Sequence, residues 1–78
     1  MNVCVVCEHG WIIKGTKDRK STGDVMLLHE AAVVRRWTNG KGIGGIAKAE
    51  NKGEYTLDII GDVEIRQNKV LFEIPCEW

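Results

Sequence analysis

The stretch Glu54–Pro75, EYTLDIIGDVEIRQNKVLFEIP, decides the fold. Within it Val63 and Ile65, then Val70, Phe72 and Ile74, recur at every second residue. That is the spacing of a strand with one buried and one wet face, because successive side chains leave a pleated chain on opposite sides. Gly61 and Gln67-Asn68-Lys69 interrupt the runs and read as turns. Strands are therefore expected over 54–60, 62–66 and 70–75. Pro75 fits a strand end, where its missing N–H is not needed by a ladder.

The pattern continues toward the N-terminus. Asn2–Cys7 (NVCVVC) is dominated by β-branched valine and reads as a buried strand. Glu8-His9-Gly10 is a tight connection to a second strand over 11–16 (WIIKGT). Residues 17–23 (KDRKSTG) are polar, basic and without period, as in a loop. A third strand starts at 24–28 (DVMLL). Residues 29–37 (HEAAVVRRW) mix helix and strand formers, and Val33, Val34 and Trp37 favour a strand over 32–37. In such a strand Arg35 and Arg36 point to opposite faces, so at most one can face a core.

Thr38–Gly45 (TNGKGIGG) has four glycines in eight residues, a density that only a loop tolerates. The Ala, Lys and Glu that follow predict a short helix over about 44–50, stopped by Asn51-Lys52-Gly53. The expected architecture is all-β, or β-rich α+β: a single domain over 1–78, a small barrel or sandwich of about six strands with one short helix.

Seventy-eight residues are too few for a dinucleotide-binding sheet or a (β/α)₈ barrel. A chain that is 44% apolar and 28% charged is composed like a globular domain. It has no apolar run near the ~18–20 residues of a membrane span and no basic, then apolar, leader. A cytoplasmic setting without membrane partners is the expectation. The formal net charge is zero, which opposes non-specific nucleic-acid binding and permits self-association. The sum conceals a division. Residues 11–52 carry nine Lys/Arg against four acids, net +5, and residues 53–78 carry six acids against Arg66 and Lys69, net −4.

So short a chain builds a small core, which disulfides, a metal or a second subunit often supplement. Cys4, Cys7 and Cys76 are odd in number, against a closed disulfide framework. Cys4-x-x-Cys7 with His9 and Cys76 resembles part of a zinc site. On a strand, however, positions i and i+3 face opposite ways, and no second pair completes the set. Buried, inert thiols without metal are expected, and a homo-oligomer is the remaining support.

The chemistry-bearing segment is Arg35-Arg36-Trp37-Thr38-Asn39-Gly40-Lys41-Gly42-Ile43-Gly44-Gly45. Guanidinium groups of Arg35 or Arg36 suit phosphate or carboxylate as planar donors, and Lys41 adds a point charge. Successive N–H groups at Gly42, Gly44 and Gly45, leading into a helix, can cradle an anion. Trp37 can stack on a base. The spacing is not that of a P-loop. The plainer alternative is a glycine-rich turn beside a solvated basic strand, with Trp37 in the core. Catalysis finds no support, since Ser21, His9 and His29 assemble no nucleophile–base–orienter set. A non-enzymatic protein without cofactor is expected.

Val34-Arg35-Arg36-Trp37, Lys41-Gly42-Ile43-Gly44, Leu57-Asp58-Ile59-Ile60-Gly61-Asp62-Val63 and Val70–Ile74 together resemble the pattern of a family of small phage- and prophage-encoded proteins of unknown function. The resemblance covers roughly residues 24–75, with Thr38 where the pattern has Gly. It implies a viral setting in the host cytoplasm and supplies no activity. The expected function is a small binding protein for a phosphate-bearing ligand such as a nucleotide, possessing the chemistry to sequester a signal of host defence. The alternatives are a module contacting a host or phage protein through an apolar patch including Trp78, and a weak DNA binder.

Overall fold

The computed structural model describes residues 1–78. The strands β1 (Asn2–Cys7), β2 (Ile12–Lys17), β3 (Val25–Trp37), β4 (Tyr55–Arg66) and β5 (Val70–Pro75) form one antiparallel sheet in the order β4-β3-β2-β1-β5. The fold is all-β, as expected. Five strands replace the expected six or more, because two expected pairs are each one long strand. The runs 24–28 and 32–37 join in β3, and 54–60 and 62–66 join in β4.

The joints explain the difference. Gly61 has φ 84° and Glu30 has φ 51°. The β3–β4 register runs Leu28↔Val63 and then Ala31↔Gly61, so both lie at one irregularity. Gly61 is therefore a bend inside a strand, without chain reversal. Such a bulge adds twist and lets a long ribbon curl. Glu30 adopts a backbone conformation rare for a side-chain-bearing residue, and its N–H donates to Asp62 Oδ1 at 3.3 Å.

The short helix expected over 44–50 takes the 3-10 form and is broken in two. Two 3-10 segments, Ile43–Ala47 and Ala49–Glu54, stand there, parted by Lys48 in extended conformation (φ −93°, ψ 126°). Gly44 and Gly45 weaken helix propagation, and short 3-10 turns need no long run of bonds.

β1 lies between β2 and β5, and Val3, Cys4 and Val5 are fully buried. Alternation splits its side chains between two small cores. Val3, Val5 and Cys7 join Met26, Leu28, Ala31 and Ile65. Cys4 joins Val34, Ile46 and Tyr55, with Ile74, Cys76 and Trp78 packed around them. Cys4 and Cys7 thus take opposite faces. Burial pushes the Cys4 thiol up to about 12, with the neighbouring Cys76 acting in the same direction.

Lys14 is buried on the second face. Its ammonium donates to the Trp78 carbonyl oxygen and lies 3.9 Å from the centre of the Trp78 ring. Burial lowers its pKa from the ordinary lysine value. Trp78 Nε1 donates to the Ile46 carbonyl oxygen at 2.7 Å, and the Glu77 N–H to that of Ala47 at 2.9 Å. Residues 76–78 therefore tie the 3-10 segment to the sheet.

A polar cluster marks the bend. His29 Nε2 lies 2.5 Å from Asp18 Oδ2, and Nδ1 lies 3.3 Å from Asp62 Oδ1. Asp18 also accepts from the Lys20 N–H at 2.7 Å. The hydrogen bond to Asp18, then that to Asp62, raises the His29 pKa, and the bond to His29 lowers that of Asp18. The His29 contribution to stability is complete below its unfolded value of about 6.5 and is lost as pH rises through its raised folded value. The Asp18 contribution is present above about 3.9 and is lost as pH falls through its depressed value. Wild-type Tm is expected to decline from pH 6 to 8.5, and His29→Gln to flatten that decline. Parallel slopes in the two proteins would exclude the coupling.

Candidate ligand-binding site at the bulged end of β3

The last turn of β3 carries a second register shift, between Val34↔Leu57 and Arg36↔Thr56. Arg35 is the additional residue. The shift breaks strict alternation, and both Arg35 and Arg36 are exposed. One core-facing arginine was allowed by the alternation, and neither takes that place. Arg35 Nε lies 3.4 Å from Asp58 Oδ2, with both side chains about half exposed. Such a contact contributes little in water. Arg36 has no ion-pair partner.

Trp37 follows and is half-buried. Its ring centre lies 5.8 Å from that of Tyr55, tilted by 39°. It packs on the second core together with Ile46 and Val34. Its apolar surface is thus engaged by the protein.

The glycine loop divides into an inner and an outer side. On the inner side, the Tyr55 hydroxyl donates to the Gly42 carbonyl oxygen at 2.7 Å. Asn51 Nδ2 donates to that of Gly45 at 2.9 Å. A Cβ at Gly45 would stand 2.6 Å from the Tyr55 hydroxyl and 2.7 Å from Lys41 Cβ. Glycine is therefore required there for close approach. On the outer side, a Cβ at Gly40, Gly42 or Gly44 would meet nothing within 4 Å. Gly40 and Gly42 have φ 73° and 69°, the left-handed region that glycine reaches without strain.

Lys41 faces inward. Its Nζ donates to Asn51 Oδ1 at 2.7 Å and to both Glu54 oxygens at 3.0 and 3.1 Å. The Lys41 hydrogen bond holds the Glu54 carboxyl below its ordinary pKa. The structure thus brings Arg35, Arg36 and the open backbone of Gly40, Gly42 and Gly44 to one end of the β3–β4 ribbon. It assigns Trp37, Lys41 and Gly45 to holding the loop.

Asn51, Glu54, Tyr55 and Asp58 complete this region and were not singled out by the sequence. Asn51 reads there as a helix stop, yet it is buried and bridges Lys41 to Gly45. Its partners lie six and ten residues away across a loop, where no local period carries the signal. The chain matches no protein-family model, no curated protein and no solved structure.

Proposed function

We propose that the protein is a small non-enzymatic binding module that takes a phosphate-bearing ligand at the Arg35–Gly45 segment. The observation that carries this reading is the bulge at Val34/Arg36, which leaves both guanidinium groups exposed a few residues before the open glycines Gly40, Gly42 and Gly44. Arg35 and Arg36 are the anion-binding groups, each a planar, permanently charged donor. The Gly40–Gly44 backbone that follows them in the chain adds N–H groups of the kind that donate to phosphate oxygens. Lys41, neutralised by Glu54, orients the loop, and Trp37 anchors it. The resemblance to small phage proteins fits a nucleotide signal of host defence as the ligand, sequestered without chemical change.

Titration with mono- and dinucleotides, followed by thermal shift and calorimetry, tests this. A bound nucleotide raises Tm through mass action. Charge-assisted hydrogen bonds contribute about 1.5–3 kcal/mol each, so Arg36→Ala is expected to weaken binding roughly 10- to 100-fold. The Arg35→Ala/Arg36→Ala double variant is expected to abolish the shift at unchanged Tm of the free protein. An undiminished shift in the double variant removes the site.

A second reading, contact with a host or phage protein, is favoured by a separate observation. Ile59 and Ile60 on β4 and Leu71 and Phe72 on β5 are exposed, on the two outermost strands of the sheet. Trp78 does not belong to such a patch, since it packs on the second core. Trp11 is the exposed tryptophan. Under this reading, native mass spectrometry finds a protein partner and no ligand-dependent stabilisation.

A further inference from the structure

We infer a second ligand site, at the opposite end of the β3–β4 ribbon, that takes a planar aromatic ring carrying an N–H donor and an anionic substituent. It occupies a concavity of about 320 Å³ where β4 residues 64–66 come opposite the β1–β2 turn. Cys7 and Ile65 form its apolar base, both belonging to the first core. Trp11 forms a wall and is 59% exposed, although its alternate neighbour Ile13 packs on that core. An indole left open beside an apolar base offers a stacking surface, and aromatic pairs gain beyond the area they bury. The volume falls at the small end of ligand pockets.

The rim sets the polar requirements. Lys69 and Glu8 satisfy each other, with Nζ 3.5 Å from Oε2. Glu64 and Arg66 also line the concavity and have no ion-pair or side-chain hydrogen-bond partner. They are two residues apart on β4, so their side chains project to the same side. They leave the edge strand on the face opposite Ile65, so they border the concavity at its rim, past the edge of the apolar base. Unpaired charges of opposite sign there suit one ligand that presents an N–H and an anion. Arg66 meets the anion as a planar donor, and Glu64 accepts from an N–H of the ring or of its amino substituent. Arg66 also borders an adjoining hollow of about 420 Å³ with Gly23, Asp24 and Asn68, which gives the anionic substituent room. A purine with a phosphate and an indole with a carboxylate share this chemistry.

The test is an amide-proton and indole-proton NMR titration of the whole protein. The probes are adenosine 5′-monophosphate and indole-3-acetate, with adenosine and indole as uncharged counterparts. The Trp11 indole N–H, assigned through Trp11→Phe, and the amides of Cys7, Ile65 and Arg66 are expected to shift with at least one anionic probe. Which of the two binds identifies the source, nucleotide or aromatic acid. Arg66→Gln is expected to weaken the anionic probe about tenfold and leave its uncharged counterpart within about twofold, tenfold being 1.4 kcal/mol. Trp11→Ala is expected to abolish both, with the rest of the spectrum unchanged. The inference fails if no probe shifts these signals at millimolar concentration. It also fails if Arg66→Gln weakens charged and uncharged probes alike, or if all shifts lie within Arg35–Gly45. The last result leaves the proposed function intact, so the two readings fail separately.

Discussion

Trp78→Ala is expected to lower Tm by roughly 12–24 °C. The figure follows from about 3 kcal/mol for removing a large packed aromatic side chain and 4–8 °C per kcal/mol in a domain of this size. Three losses coincide at this residue. The ring packs on the second core beside Cys76 and Ile74. Its Nε1 holds the Ile46 carbonyl oxygen at 2.7 Å. The ring also covers the buried Lys14 ammonium. Alanine keeps the main-chain oxygen that Lys14 donates to but removes the ring face over that buried charge, so Lys14→Met in the Trp78→Ala background is expected to restore part of the loss. Thermal melts of the wild type, Trp78→Ala and the double variant measure this. A Trp78→Ala protein melting within about 4 °C of wild type, under 1 kcal/mol here, would show that residues 76–78 do not secure the 3-10 segment.

The second large effect separates adjacent glycines. Gly45→Ala is expected to cost about 2 kcal/mol, or roughly 8–16 °C in Tm, because the new methyl group meets the Tyr55 hydroxyl and Lys41 Cβ inside contact distance. Relief requires displacing Tyr55 from the Gly42 carbonyl oxygen or Lys41 from Glu54. Gly44→Ala meets no atom within 4 Å. It is expected to be neutral or to raise Tm slightly, since alanine narrows the unfolded ensemble. Equal losses at both positions would mean that the loop needs glycine for backbone freedom and not for close approach.

Strand type and placement were legible from the sequence, since Val63 and Ile65, or Val3 and Val5, carry a period that survives folding on the first core, whereas in β5 Phe72 is exposed and Val70 and Ile74 pack on different cores. Strand number was not. Gly61 has the same local appearance whether the chain reverses or merely bends, and only the pairing of Ala31 with Gly61 distinguishes the two. The helix expected over 44–50 rested on Ala, Lys and Glu propensity. Gly44, Gly45 and the tertiary bonds of Asn51 outweighed it. At the candidate site, the exposure of both Arg35 and Arg36 was hidden, because a bulge has no signature at Val34 or Arg36. The neutralisation of Lys41 was hidden for another reason: Glu54 lies thirteen residues on, beyond any helical or strand spacing.

The place of β1 between β2 and the edge strand β5 has a consequence for synthesis. The chain emerges from the N-terminus, and β1 can pair at once with β2, but its other edge closes only when residues 70–75 arrive. Until then NVCVVC, six uncharged residues rich in valine, presents an open ladder edge. Such segments are aggregation hazards in partly folded chains. The pairing that completes the sheet is also its least local, which slows folding relative to hairpin closure. Production of this protein therefore depends on how long that edge stays bare, a kinetic exposure invisible in the finished sheet.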